Sequence, residues 1–170
     1  DSGAEIIITL SNTYALIRGL RPETPLRHVI VAQIKTYFPP LLRLLFSLLL
    51  EKKKGHKADI SGEAGVYWFS DVLERAPAKP RQVEIGWDDT AVLMYTGGTT
   101  GVAKGAMLTH RNLVTNAYQC KTWLNAQDAQ ERTIVQLPLF HCYGMTTSLN
   151  LSVMIASTMI LVPDPRDLQD

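Results

Sequence analysis

Apolar residues recur along the chain with two different periods. Runs rich in β-branched residues predict strands at 5–10, 28–32, 91–95, 133–137 and 157–162. Segments with helical spacing predict helices at 11–20, 66–76, after Thr109 and within 143–156. Strands that alternate with helices indicate an α/β fold, with a mostly parallel sheet flanked by helices.

Local signals predict where several of these elements begin and end. Ser11 is a plausible N-cap for the first helix, and Pro77 ends the 66–76 segment. Pro138 ends the strand at 133–137. Thr109 is expected to cap a helix whose apolar stripe, in steps of four, three and four, is Leu113, Ala117, Cys120 and Leu124.

Residues 39–57 combine a leucine-rich run with a cluster of lysines. The run contains Arg43 and is too short for the roughly 20 apolar residues that span a bilayer. One interpretation is a buried or half-buried surface helix. The other is an interfacial helix that inserts leucines and places lysines among anionic head groups, giving a peripheral membrane contact. Glu51 and the short length weigh against the second interpretation.

The composition and charge of the chain argue against several classes of function. The 170 residues are enough for one domain with a core, and 46% hydrophobic with 19% charged residues is typical of a globular protein. A net charge of +1 argues against a nucleic-acid partner. Cys120 and Cys142 form neither a disulfide framework nor a metal-ligand spacing, and the first residues do not resemble a signal peptide, so a cytoplasmic setting is expected.

The strongest chemical signal is the segment 95–105, Tyr95-Thr-Gly-Gly-Thr-Thr-Gly-Val-Ala-Lys-Gly105. Glycines let backbone N–H groups approach an anion, threonine hydroxyls add donors, and a lysine supplies a mobile positive charge. A flexible linker is the alternative, but an apolar strand, predicted to be buried, leads directly into this segment. The segment therefore predicts a phosphate loop. It is not a Walker A motif, because Lys104 does not directly follow a glycine, and it is not Gly-x-Gly-x-x-Gly.

Two motifs carry a family resemblance. The segment from Tyr95 to His110 closely resembles the AMP-binding signature of adenylate-forming enzymes, and it is most similar to that of long-chain fatty-acid–CoA ligases. Leu137-Pro-Leu-Phe-His-Cys-Tyr-Gly144 resembles a segment that follows the phosphate loop in acyl-CoA synthetases, and residues 1–9 are similar to an upstream strand. The chain departs from the family at Gly97, where many members have Ser, and at Ala103, where many have Pro.

The resemblance implies a domain and a reaction. Residues 1–170 would be an interior part of an N-terminal AMP-binding domain, with the C-terminal domain and its catalytic lysine outside the chain. The complete enzyme would join a fatty acid and ATP into acyl-AMP and pyrophosphate, and would then form acyl-CoA, using ATP, Mg²⁺ and CoA. The chain alone is expected to be inactive, and its uncovered sheet edges or apolar faces predict association or partial disorder. The complete enzyme could also be an oligomer.

The resemblance also implies site residues. Phosphate contacts would come from Thr96, Gly97, Gly98, Thr99, Thr100, Gly101 and Lys104, and the acyl-substrate pocket would include His141 and Gly144. His141 would orient the acyl group, and Gly144 would let the acyl chain pass close to the backbone. No metal ligand is identified.

Other interpretations of these residues stay open. The threonines could instead be β-branched residues at a strand edge. Lys104 could be an ordinary solvated lysine, and His141 could have a structural role. His110 is expected to be structural, and Asp88 and Asp89 to form a solvated turn. Cys142 is not expected to be a nucleophile, because His141 beside it would point elsewhere on a strand.

Other functions stay open as well. The alternatives are adenylation of an aryl or medium-chain acid, transfer to a carrier protein, and a non-catalytic nucleotide-binding or membrane-docking module. A kinase-like phosphotransferase is disfavoured, because the chain lacks a Walker A match.

Overall fold

A computed structural model describes residues 2–96 and 104–163. The chain divides into two compact units, Asp1–Arg81 and Gln82–Asp170. Each unit contains parallel strands and packed helices, as the alternation of strand and helix patterns predicts.

The first unit is built on a three-stranded parallel sheet in the order β1-β2-β3. Its strands are β1 (Ile6–Leu10), β2 (His28–Ala32) and β3 (Val66–Trp68), and its helices are α1 (Tyr14–Leu20), α2 (Pro40–Leu49) and α3 (Phe69–Arg75). Short 3₁₀ turns lie at Arg21–Glu23 and Ile34–Tyr37. One face of the sheet carries the core, which consists of Tyr14, Val29, Val31, Ile60 and Val66. The opposite face leaves Ile6, Ile8 and Leu10 exposed.

Two expectations for this unit are wrong. Ser11 does not cap α1, which begins after Thr13, because the buried Ser11 hydroxyl lies 3.0 Å from Nδ1 of His56. Residues 66–68 are a strand rather than the start of a helix, since their backbone pairs with β2 at Val29–Val31. The remaining residues of the 66–76 segment form α3.

The helix predicted within 39–57 exists, and it lies at the surface. The structure describes all ten residues of α2, and Phe46 is the single buried residue among them. No helix within the described part of the chain is long and apolar enough to cross a membrane.

The second unit contains two separate strand pairs and a long helix. Its elements are β4 (Thr90–Thr96), β5 (Lys104–Thr109), α4 (His110–Leu124), β6 (Arg132–Val135), a π-helix (Gly144–Asn150), α5 (Leu151–Met154) and β7 (Thr158–Leu161). Strands β6 and β7 pair in parallel, whereas β4 and β5 are antiparallel. Buried residues of this unit include Ala117, Val135, Met145, Leu151 and Ile155.

Thr109 caps α4 as predicted. Its hydroxyl accepts a hydrogen bond from the backbone N–H of Asn112, and the Asn112 side chain accepts one from the backbone N–H of Thr109. This reciprocal pair forms a capping box and satisfies two donors at the start of the helix. Ala117 of the predicted apolar stripe is buried, but Leu124 at its end is exposed.

Strand β4 differs from its prediction in one respect. It spans the predicted 91–95 run, but it is not a buried strand, because Leu93 and Tyr95 are exposed. An antiparallel pair with one neighbour on each strand leaves both faces open, so apolar content alone does not bury it. Strand β6 ends at Val135, two residues before the predicted end.

Candidate functional site

The candidate phosphate loop joins the two strands of the antiparallel pair. Thr96 lies opposite Lys104 in the register, and Tyr95 lies opposite Gly105. The strands thus bring two predicted phosphate-binding residues, Thr96 and Lys104, to the end of the pair where 97–103 departs. The other predicted residues, Gly97, Gly98, Thr99, Thr100 and Gly101, lie outside the described residues.

Tyr95 and Gly105 pack closely across this strand pair. A Cβ placed on Gly105 would lie 3.3 Å from Cζ of Tyr95 and 3.4 Å from Cε1. The tyrosine ring therefore occupies the space that a side chain at position 105 would need. Glycine at this position lets an aromatic ring cover the strand directly beside the candidate loop.

The opposite end of β4 is held to the first turn of α4. Nε and Nη2 of Arg111 donate to the two carboxylate oxygens of Asp88 at 2.9 and 3.0 Å. Backbone N–H groups add to this contact: His110 donates to the Asp89 carbonyl, and Arg111 donates to the Trp87 carbonyl. The Arg111 guanidinium lowers the pKa of Asp88 by hydrogen bonding and by charge attraction. Asp88 is exposed, as predicted for a solvated turn, but it is paired.

His141 and its neighbours form a turn rather than a strand. The backbone N–H of Tyr143 donates to Nδ1 of His141 at 3.3 Å, and the His141 N–H donates to the Pro138 carbonyl at 3.0 Å. Because Nδ1 accepts, the neutral ring carries its hydrogen on Nε2. The exposed His141 side chain can therefore offer an N–H donor to an oxygen of a ligand.

The expected separation of Cys142 from His141 is wrong. The sulfur of Cys142 lies 3.8 Å from Nδ1 of His141, since the chain turns here. Nδ1 also accepts the Tyr143 N–H, so its lone pair is shared. Both Cys120 and Cys142 are free.

Gly144 is buried at the start of the π-helix. A Cβ at this position would lie 2.4 Å from the carbonyl oxygen of Pro138 and 3.1 Å from its carbonyl carbon. Backbone atoms cannot move aside as a flexible side chain does, so the position requires glycine. Close packing against Pro138 is thus a sufficient reason for this residue, independent of any acyl chain.

Helix α4 connects the two parts of the site. It contacts β5, which directly precedes it in the chain, and it also contacts the π-helix and α5. A groove of about 480 Å³ runs between these helices, lined by His110, Leu113, Ala117, Asn150 and Val153 among others. The Asn150 Nδ2 atom is buried and has no hydrogen-bond partner among the described residues. Sequence reasoning missed this groove, because its two walls lie far apart in the chain.

The described residues supply no metal site. Within 2–96 and 104–163, no group of three or more His, Cys, Asp or Glu side chains is placed to hold a metal ion.

One family model and several curated relatives match nearly the whole chain. A family model described as AMP-binding enzyme matches residues 1–170. A long-chain-fatty-acid–CoA ligase of Bacillus subtilis is 31% identical over 98% of this chain, and one of Haemophilus influenzae is 34% identical over 99%. The chain spans 30% and 31% of the length of these two curated relatives.

Solved structures show the same fold. Apo MatB from Rhodopseudomonas palustris superposes with a TM-score of 0.68 at 21% identity, over 96% of this chain and 26% of its own. A long-chain-fatty-acid-CoA ligase from Archaeoglobus fulgidus superposes with a TM-score of 0.67 at 21% identity, over 98% of this chain and 27% of its own. The chain therefore shares its α/β fold with the matched parts of these two proteins.

Proposed function

The chain belongs to the AMP-binding enzyme family, and on that premise we propose that it is part of a long-chain fatty-acid–CoA ligase. The complete protein would activate a fatty acid with ATP to acyl-AMP and pyrophosphate. It would then transfer the acyl group to the thiol of CoA and release AMP. The residues of this chain would form the phosphate cradle and part of the acyl pocket.

The observation that carries the proposal is the position of Thr96 opposite Lys104, with a Gly- and Thr-rich segment between them. The antiparallel pairing places Thr96 and Lys104, at which this segment starts and ends, opposite each other. Its three glycines would let backbone N–H groups converge on phosphate oxygens. The similarity to long-chain ligases of several bacteria supports the choice of a fatty acid.

Lys104 would act on the leaving group. Attack of the substrate carboxylate on the α-phosphorus breaks the bond to the bridging oxygen, and negative charge builds up on the departing pyrophosphate. An ammonium group at the end of β5 would stabilise this charge as it develops. The threonines at 96, 99 and 100 would contact the other phosphate oxygens, and Gly97, Gly98 and Gly101 would admit the phosphates.

His141 would orient the acyl carboxylate. Its Nδ1 is engaged by the Tyr143 N–H, which leaves Nε2–H as the donor. A donor aimed at one carboxylate oxygen leaves the other oxygen to attack ATP. Gly144 would shape the same pocket indirectly, because its packing on Pro138 fixes the turn that carries His141.

Mg²⁺ is proposed only as the counter-ion of ATP. Because the described residues contain no cluster of metal-ligating side chains, they do not form a cage for the ion. Mg²⁺ commonly keeps several waters and binds through substrate phosphates.

The proposed partners are a fatty acid, ATP and CoA. ATP and CoA are substrates found inside cells, and two free cysteines suit a reducing compartment, so a cytoplasmic location is proposed. Peripheral contact with a membrane through residues 39–57 would bring the enzyme close to its lipid substrate.

The test is AMP formation by the full-length protein. ATP, CoA and a chain-length series of fatty acids are supplied, and the Lys104→Ala variant is compared with Lys79→Ala, which changes an exposed lysine in the other unit. We expect AMP that depends on long-chain fatty acid, and a loss of at least about tenfold in kcat/KM for Lys104→Ala only.

Other products would point to other functions. AMP formation with only an aryl or a medium-chain acid would assign that acid, rather than a long-chain fatty acid, as the substrate. ATP binding without AMP from any carboxylate would contradict the ligase and favour a nucleotide-binding module. ADP in place of AMP would indicate a phosphotransferase.

A further inference from the structure

We propose that α2 and the lysines that follow it dock this protein on an anionic lipid bilayer, with the helix lying in the plane of the interface. This goes beyond the proposed reaction and does not depend on it. It rests on the exposure of the leucines, the anchoring of the helix, and the distribution of charge at its end.

The leucines of α2 form an exposed apolar surface. Leu41, Leu44, Leu45 and Leu48 are spaced at helical intervals on one side of the helix, and Leu41 and Leu48 are 71% and 72% exposed. Leu49 continues this surface. Single exposed leucines are ordinary, but a contiguous row on one short helix indicates an interaction site.

The opposite side of α2 is fixed to the rest of its unit. Phe46 is buried, and its ring packs edge-on against Phe38 with centroids 5.3 Å apart. It also lies 5.7 Å from the ring of His56, whose Nδ1 is 3.0 Å from the hydroxyl of Ser11 at the end of β1. The leucines are therefore displayed from a rigid support, and the helix does not need to detach in order to present them.

The charge at the end of α2 matches an anionic surface. Glu51 is the single carboxylate within 39–57, and it is partly buried in an ion pair with Lys35. Its negative charge is thus neutralised within the protein. Lys52, Lys53 and Lys54 follow directly and are exposed. The chain as a whole has a net charge of only +1, so this cluster is a local excess.

The geometry suits an interfacial orientation. A ten-residue helix is about 15 Å long, roughly half the thickness of the hydrocarbon core. Backbone hydrogen bonds from Lys54 N–H to the Leu50 carbonyl and from His56 N–H to the Glu51 carbonyl hold the lysine turn against the end of the helix. Leucines would enter the acyl boundary while the lysines, on flexible stems, stay among the head groups.

The three exposed lysines beside the leucines favour an anionic lipid surface over a second protein as the partner. Each lysine near an anionic surface contributes about 1 kcal/mol, or roughly a fivefold change in affinity. An apolar row beside three exposed lysines would repel a second copy of itself through the lysines.

Vesicle co-sedimentation of the full-length protein tests the proposal. Vesicles of phosphatidylcholine alone are compared with vesicles that also contain phosphatidylglycerol, at low and high salt. We expect binding to the mixed vesicles that weakens with salt. Leu44→Gln with Leu48→Gln should lower the partition coefficient at least about tenfold. Leu16→Gln, at an exposed leucine of α1, is the matched control and should bind as the unaltered protein does.

A second pair of variants isolates the charge. Lys53→Gln with Lys54→Gln removes two positive charges from the turn, and Lys79→Gln with Arg81→Gln removes two exposed charges elsewhere. The first pair should weaken binding to anionic vesicles by about tenfold or more and should flatten its salt dependence, whereas the second should change neither. Fatty-acid-dependent AMP formation without vesicles should be the same in all these variants.

Three results would overturn the proposal. One is absence of binding to the mixed vesicles. Another is equal loss of binding in the leucine variant and in Leu16→Gln. The third is a fall in Tm or a change of oligomeric state in Leu44→Gln with Leu48→Gln, because the leucines would then be covered by other protein surface.

Discussion

The ring of Tyr95 lies across the strand pair from Gly105 and covers the face of its α-carbon, so that an added Cβ would be 3.3 Å from Cζ. This contact is one residue away from the paired Thr96 and Lys104. The contact lies where the candidate phosphate loop begins, so its loss should affect both stability and ATP binding.

Gly105→Ala should disturb this contact. The new methyl group must displace the Tyr95 ring, which is 44% exposed and can partly yield, so we expect a cost of about 1 kcal/mol. The Tm should fall by about 2–4 °C, and KM for ATP should rise. Differential scanning fluorimetry and steady-state kinetics on the full-length protein measure both.

The double variant Gly105→Ala with Tyr95→Ala is the control. Residues in contact are not additive, so removal of the ring should relieve the strain from the alanine. Strict additivity of the two Tm changes would show that the ring does not restrict position 105.

The Asp88–Arg111 pair gives a pH-dependent contribution to stability. Because Arg111 lowers the pKa of Asp88 in the folded state, this contribution is fully present above the ordinary Asp value of 3.8 and is lost as pH falls through the lowered pKa. Asp88→Asn should therefore reduce Tm slightly at neutral pH, and the difference should disappear at acid pH. Since both side chains are exposed, the effect should also shrink with added salt. A Tm difference that grows on acidification would contradict the pairing.

Gly144→Ala should be strongly destabilising. The added Cβ would collide with the Pro138 carbonyl at 2.4 Å, and relief requires movement of the backbone, at a cost of about 3 kcal/mol. Gly19→Ala is the matched control, since nothing lies within 4 Å of a Cβ at that helical position, and it should be neutral or stabilising by about 0.5–1 kcal/mol. An unchanged Tm for Gly144→Ala, together with a shortened acyl-chain preference, would instead assign Gly144 to acyl passage alone.

The activity should depend on the Nε2–H donor of His141. His141→Ala should reduce kcat/KM for the fatty acid by about tenfold to a hundredfold, as expected for a hydrogen bond to a charged group. His141→Gln keeps an N–H donor near the Nε2 position and should retain more of the activity. Single-turnover acyl-AMP formation measures the effect. Equal activity of both variants with the unaltered enzyme would assign His141 to a structural role.

Local chemistry explains which elements could be predicted from the sequence. Strands β1 and β2 are runs of β-branched residues, and the start of α4 is fixed by the cap at Thr109, whose partner Asn112 is three residues away. These signals depend only on neighbours in the chain. The two family motifs likewise predict the fold class and the family.

Long-range contacts explain what could not be predicted. Ser11 is a residue type that favours a helix cap, but its hydroxyl contacts His56, 45 residues away, and the cap does not form. Strand β5, which includes Gly105, shows no apolar alternation and owes its strand conformation to pairing with β4. The candidate site depends on that pairing, because only the register places Thr96 opposite Lys104. Pro138 approaches Gly144 closely for a similar reason, through a turn that no periodicity reveals.

The most direct test of the central claim is fatty-acid-dependent exchange of labelled pyrophosphate into ATP, measured on the full-length protein without CoA. Adenylation is reversible before thioester formation, so the account predicts exchange that requires a long-chain fatty acid, proceeds without CoA, and is reduced at least about tenfold in Lys104→Ala. ATP binding with no exchange for any carboxylate would contradict the claim that this chain forms the phosphate site of an acyl-adenylating enzyme.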